Sequence, residues 1–392
     1  MSEGGSAAAP PRGTRPRNRR ELIREAATLL FAEHGYANVA VSDIAAAVNV
    51  GASAVYRHYA GKADLLFDAI DTALESTLAA LPARDEADLP EIAHVLGAAV
   101  LENRVAGVLM QRESRNLSPE AAAQIRKKRV QISAWLTTEL SARRPELTTE
   151  QAELLSVCAS DALTSVSFHR LDLPRADYER LLADLGARVM LMNPSADRLK
   201  EPAKPRRPKA ATRADEILDA ATELFAERGY AEVSIDDIGA AVGIAGPSVY
   251  NHFPSKHDIL LQAMARGHAQ VRAAMTAART EGRDAADVLR RLSDSYVDQT
   301  LDHPALTGAM ITELVHLNAE ARGQDLRAVQ RAYVTDWVTI ARAHHPEDDP
   351  IVARVKVQAA QMMANDVART PRLRRIPGLR ATVREAAWLL QQ

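Results

Sequence analysis

The sequence predicts an all-α chain made of two tandem copies of one helical unit. Three observations carry this. Alanine, leucine, arginine and glutamate abound, while glycine (18) and proline (19) are few for 392 residues. Apolar residues recur at helical spacing. Residues 26–66 also align with 220–260 without a gap, at a constant offset of 194, with about 22 of 41 positions identical. Aromatics are only 4% of the chain, yet Phe31, Tyr36, Tyr56, Tyr59 and Phe67 cluster in the first copy and Phe225, Tyr230, Tyr250 and Phe253 in the second. A weaker echo aligns Met110, Glu113, Leu117, Trp135 and Pro145 with Met310, Glu313, Leu317, Trp337 and Pro346. The whole unit is therefore duplicated.

Composition excludes several classes. Charge is nearly balanced, 49 basic against 51 acidic residues, so positive charge can act only in local patches. The single cysteine, Cys158, permits no disulfide framework or cysteine-built zinc site. No run approaches the roughly 18 apolar residues of a membrane span, and no apolar stretch follows the basic first 20 residues, so a soluble, cytoplasmic protein is expected.

Each element follows in order. Residues 1–16, rich in Gly, Ala and Pro, read as a disordered basic arm. Leu22, Ile23, Ala26, Leu29, Leu30 and Ala32 mark the first helix of a domain over 17–63. Gly35 and Gly229 follow the first helix of each copy and predict left-handed C-terminal caps. Short helices are expected over 42–48 and 52–59, joined by Asn49-Val50-Gly51. The second copy, a domain over 213–257, repeats this over 236–242 and 246–253 around Gly243-Ile244-Ala245. Asn49 and Gly243 share a tolerance of positive φ, which the tight turn needs. Two short helices so joined and packed on a third make a helix-turn-helix. Helical bundles are expected over 64–194 and 258–392, with a Pro-rich basic linker over 195–212.

Both copies resemble the N-terminal domain of the TetR family of bacterial transcriptional regulators. In the first, the resemblance lies in Phe31-Ala32-Glu33-His34-Gly35-Tyr36, Asp43-Ile44-Ala45, Val55-Tyr56-Arg57-His58-Tyr59 and Lys62-Ala63-Asp64-Leu65-Leu66. In the second it lies in residues 224–230, Asp237-Ile238-Gly239, residues 248–253 and Lys256-His257-Asp258-Ile259-Leu260. It covers about 50 residues per copy. There are departures. Ala40 stands where the family has a Ser or Thr cap, which Ser234 keeps, a loss of about 1 kcal/mol. Gly51 and Ala245 replace the usual cap of the second short helix. Asp236, matched by Ser42, puts a negative charge on the side expected to face DNA.

The resemblance implies that the second short helix enters the major groove of a double-stranded DNA operator. Ala52, Ser53 and Ala54, or Gly246, Pro247 and Ser248, would then face base edges, with Arg57 and Asn251 extending the reading. Such small side chains place part of the specificity on DNA shape. Tyr56, His58 and Lys62, with Tyr250, His252 and Lys256, resemble phosphate contacts. Arg12, Arg15, Arg17, Arg19 and Arg20 precede the first domain; Lys200, Lys204, Arg206, Arg207, Lys209 and Arg213 precede the second.

The resemblance also implies that the bundles bind a small, partly apolar effector and dimerise through 149–168 with 175–192 and 351–368 with 379–390. Small residues such as Ala159, Ala162 and Ser165 would let helices approach closely. Glu113, Trp135, Glu313 and Trp337 are the candidate effector contacts. The halves are expected to pair within one chain, further pairing of chains being open, on an operator that need not be palindromic. Repression is the family's usual outcome. No nucleophile elbow, phosphate loop, metal set or paired carboxylates appear, so neither an enzyme nor a cofactor is expected. The rival reading is a helical scaffold or effector-binding protein whose helix-turn-helix units have lost DNA.

Overall fold

The computed structural model describes residues 18–84, 86–194, 212–312 and 321–392. Those residues form helices and connecting turns, with no strand among them. The first unit holds α1 (Arg19–His34), α2 (Val41–Ala47), α3 (Ala52–Tyr56), α4 (Lys62–Ala80), α5 (Leu89–Glu102), α6 (Arg104–Arg112), α7 (Pro119–Arg143), α8 (Thr149–Thr164) and α9 (Arg175–Leu191). The second repeats the order with α10 (Arg213–Arg228), α11 (Ile235–Ala241), α12 (Gly246–Val249), α13 (Lys256–Glu281), α14 (Ala285–Asp302), α15 (Pro304–Thr312), α16 (Ala321–His344), α17 (Pro350–Arg369) and α18 (Leu379–Leu389).

Each unit opens with a three-helix head. Ile23, Ala27, Phe31, Ile44, Val55, Tyr59 and Leu65 are buried together in the first; Ile217, Ala221, Phe225, Ile238, Val249, Phe253 and Ile259 do the same in the second. Each buried large side chain contributes about 1.5–3 kcal/mol. The heads are anchored on their bundles: Leu109, Leu117 and Ile125 complete the first head's core and Ala309 the second's.

The turns have the predicted torsions at Asn49 (φ 55°) and Gly243 (φ 72°). Three expectations are corrected. Gly35 and Gly229 have φ 80° and 84° but ψ 149°, an extended mirror-image conformation rather than a left-handed cap. It is nearly closed to residues with a Cβ, and it turns the chain sharply while its N–H still reaches the Phe31 or Phe225 carbonyl at 2.9 Å. The second short helices end at Tyr56 and Val249, before 59 and 253. The Val55 and Val249 carbonyls each accept two N–H groups there, His58 with Tyr59 and His252 with Phe253. Finally, α2 and α11 each begin one residue early, at Val41 and Ile235.

The two bundles meet. α8 packs on α17 and α18 touches both α8 and α9, and one core runs from Leu155, Ala159 and Ala162 through Val355, Ala359, Ala360 and Ala364. Alanines at the crossing let the backbones approach. Around it, Arg372 Nε pairs with Glu153 at 3.1 Å and Gln111 donates to Asp366 at 3.3 Å. Asp161 is raised well above the usual carboxyl range by burial and by Asp366, against the pull of Arg129, Arg369 and Arg372.

Candidate nucleic-acid interface

The exposed end of each head is set by the length of its second short helix. Val55 and Val249 point into the core at 1% and 0% exposure, so the flanking positions point out. In the first head Ser42, Ser53, Tyr56, Arg57 and His58 are exposed, and Ala52 and Ala54 partly so. In the second, Asp236, Pro247, Tyr250, Asn251 and His252 are exposed and Ser248 partly so. Tyr56 and Tyr250 stand 57% and 55% exposed, matched rings held out of their cores. Both heads thus present hydroxyl, imidazole and amide or guanidinium groups on one face, donors and acceptors of the kind that meet phosphates and base edges.

Gly246 does not belong to that face. It is buried, and a Cβ there would fall on the Asp236 carboxylate and 3.1 Å from the Asp236 Cα. The first head has Ser42 and Ala52 at the matched positions. The pairs are complementary in size: a small hydroxyl with a methyl in one head, a carboxylate with a bare glycine in the other. Asp236 therefore lies directly over the start of α12.

Lys62 and Lys256 are engaged within their own heads. The Lys62 ammonium donates to the Tyr36 carbonyl at 2.6 Å and sits 4.2 Å from that ring's centre. Lys256 donates to the carbonyls of Tyr230 (2.8 Å) and Val233 (2.7 Å), 4.4 Å from the Tyr230 ring. Both bind the chain between the first two helices of their head, which occupies part of each ammonium's three donors there. The rings they cover pack on Phe31 (5.4 Å) and Phe225 (5.3 Å).

Local capping differs as the sequence indicates. Ser234 accepts from the Asp237 N–H at 3.1 Å and Asp237 accepts from the Ser234 N–H at 2.8 Å. The Ser234 hydroxyl, then Arg228 at 3.0 Å, hold the Asp237 carboxyl far below its usual range. Ala40 has no side-chain acceptor, so only the Asp43 half of that box remains, at 2.8 Å. The first head has a staple that sequence reasoning missed. The buried Tyr59 hydroxyl donates to Asp68 at 2.7 Å, and Arg20 pairs with the same carboxylate at 2.9 Å. The signal was the Tyr59 to Phe253 difference between copies.

Of the basic approach residues, Arg20 is thus turned onto the head, as is Arg213, which donates to the Val242 carbonyl at 3.2 Å. Arg12, Arg15, Arg17, Lys200, Lys204, Arg206, Arg207 and Lys209 lie outside the described residues, as does Glu313.

The other effector candidates do not converge. Trp337 is 1% exposed, with rings of Tyr296 and Tyr333 at 5.2 and 5.8 Å, and its indole donates to Gln391 at 2.7 Å. It is a satisfied core residue, which corrects its assignment. Trp135 packs half-buried on the shared bundle core. Glu113 is buried apart from both, accepting from Asn116 at 3.0 Å.

Comparison with known proteins agrees with the geometry. The sequence profile of "Bacterial regulatory proteins, tetR family" matches residues 23–69 and again 217–263, the two heads. A stretch of 50 residues is 44% identical to the biofilm operon icaADBC HTH-type negative transcriptional regulator IcaR of Staphylococcus aureus, covering 13% of this chain and 27% of that protein. Another of 48 residues is 46% identical to the HTH-type transcriptional repressor KstR2 of Rhodococcus jostii, covering 12% and 24%. The chain thus spans about a quarter of the length of these curated relatives. Among solved structures, the ketosteroid transcriptional regulator KstR2 of Mycobacterium tuberculosis is 19% identical, with a TM-score of 0.42, over 46% of this chain and 94% of that one. With the profile matched at two positions, each on a complete three-helix head, the chain carries the N-terminal domain of the tetR family of bacterial regulatory proteins twice.

Proposed function

We propose that the chain is a DNA-binding transcriptional repressor that works as an intramolecular pseudo-dimer, each head reading one half of an operator. The carrying observation is the pair of matched exposed faces, Ser53-Tyr56-Arg57-His58 and Pro247-Tyr250-Asn251-His252, on heads whose cores are otherwise alike. The relatives named as negative regulator and repressor support the direction of control. The seam of α8 against α17 supports pairing within the chain.

Because the two faces differ, the operator is asymmetric: Arg57 suits guanine, Asn251 suits adenine. A small-molecule effector acts by favouring a bundle arrangement with a different head separation. As a regulator the protein works on the chromosome, in the cytoplasm. Gel-shift titration against DNA flanking its own coding region tests this. Specific binding should weaken with log salt at about −0.9 per phosphate neutralised. Exchanging residues 52–57 with 246–251 should exchange the half-site preferences. Absence of binding in dilute salt overturns the proposal.

A further inference from the structure

One short segment of the first unit touches both heads. The end of α6 is fixed in the first head, where Leu109 and Leu117 are buried in its core. There Val108, Arg112 and Glu113 face the Gly35 corner across a small cavity. One turn later the same segment meets the second head. The Arg115 guanidinium lies on Gly229, the buried glycine that matches Gly35: a Cβ built there would fall on the Arg115 terminal nitrogen, with Cζ at 3.6 Å. Gly229 holds a φ of 84°, which calls for glycine, and its bare Cα gives the planar guanidinium a flat seat. Gln111 of the same segment donates to Asp366 of α17 at 3.3 Å. Arg112 and Arg115, which make the two corner contacts, are three residues apart and so at most about 11 Å along the chain. The heads are thus joined directly, in addition to their connection through the bundle seam.

We propose that residues 109–117 form a strut that fixes the separation of the two heads, with Arg115 as the residue that positions the second. The strut acts in parallel with the seam of α8 against α17. Removing one of two comparable restraints halves the stiffness, so the variance of the head separation should about double. The strut's part in operator choice rests on the proposed DNA-binding role; the strut itself does not. Apparent affinity scales with the fraction of molecules already in the competent arrangement. Stiffly held heads therefore favour one spacing of half-sites, and one added base pair moves those half-sites about 3.4 Å apart. The chain then selects its operator by spacing as well as by bases.

Pulsed electron–electron resonance on the full chain, spin-labelled at Ser53→Cys and Asn251→Cys, reads the head separation without DNA. Both positions are exposed, whereas Cys158 is buried and takes no label. The parent should give one narrow distance distribution. Arg115→Ala should broaden it to about twice the variance, and Glu120→Ala, at an exposed site in the first turn of α7, should leave it as in the parent. In gel shifts with unlabelled protein, the preference for the natural operator over one carrying an inserted base pair should shrink by about threefold or more in Arg115→Ala. An unchanged distribution in Arg115→Ala, or equal broadening by Glu120→Ala, overturns the strut. An unchanged spacing preference despite the broadening overturns its part in operator choice. A chain that ignores DNA sinks the proposed function and leaves the distance measurement to decide the strut.

Discussion

The Asp236–Gly246 pair makes a sharp prediction, because the other head contains its own control. A methyl at 246 meets the Asp236 carboxylate. Forcing a methyl into such a contact costs about 1–3 kcal/mol. Alanine returns at most about 1 kcal/mol of helix preference over glycine, and less in a first turn. Gly246→Ala alone should therefore destabilise the second head by about 1–2 kcal/mol. Asp236→Ser removes the carboxylate, leaving the 3.1 Å approach to the residue 236 Cα, which a shift of a few tenths of an ångström relieves. In that background Gly246→Ala should lie within about 0.5 kcal/mol of its parent, a coupling of about 1–2 kcal/mol. A chain of several cores does not melt as one unit, so the measure is amide hydrogen exchange at Ile238 and Val249, which reports opening of that head. If Gly246→Ala costs the same in both backgrounds, the size-complementarity argument is wrong.

Three other outcomes follow. Lys256→Met should weaken the second head by about 1.5–3 kcal/mol, the range for hydrogen bonds to a charged group. It should leave the salt slope of operator binding unchanged; a slope shallower by about 0.9 would return the ammonium to a phosphate. Tyr59→Phe should cost about 1.5 kcal/mol, the low end for a bond to a charged acceptor, because Asp68 keeps Arg20. Burial, then Asp68, raise Tyr59 to about 12, above its unfolded value near 10. Its stabilisation is thus complete below pH 10 and lost between 10 and 12, and that alkaline decline of the first head should be shallower in Tyr59→Phe by hydrogen exchange. Asp161→Asn should raise the opening free energy of the α8–α17 seam by amide hydrogen exchange, more at pH 8 than at pH 5. Burial and Asp366 raise the Asp161 pKa, so the parent's contribution is full below the unfolded value and lost as pH rises through the folded one. An equal gain at both pH values would show that the carboxyl does not titrate at the seam.

What the sequence made legible was what neighbouring residues decide. Asn49 and Gly243 share one torsional tolerance, and the turn follows from it. The difference between Ala40 and Ser234 sits within one helical turn, and half a capping box is missing where Ala40 stands. What stayed hidden lies where the partner is remote. Lys62 and Lys256 begin a helix, a natural anion position, but their donors find the Tyr36 and Tyr230 carbonyls 26 residues away. Trp337 is satisfied by Gln391, 54 residues on. Gly246 was counted outward from helix position alone, although the joint change of 42 with 52 between the copies already held the clue.

That joint change also bears on why two heads on one chain are worth having. In a dimer of identical chains every substitution falls on both heads at once, so the operator stays symmetric. In this chain a substitution falls on one head, and its correction need only occur in the same head. Asp236 with Gly246 is such a corrected pair: in the rotamer seen, the acid occupies the space that a Cβ at 246 would take. Its carboxylate, an acceptor without a donor, suits the amino group of cytosine and repels a phosphate, whereas Ser42 accepts either partner. The half-site under the second head should therefore prefer a cytosine beneath position 236, and Asp236→Ser should erase that preference while leaving the first half-site's unchanged. If both half-sites relax together, the heads do not read independently and the advantage of fusion lies elsewhere than in asymmetry.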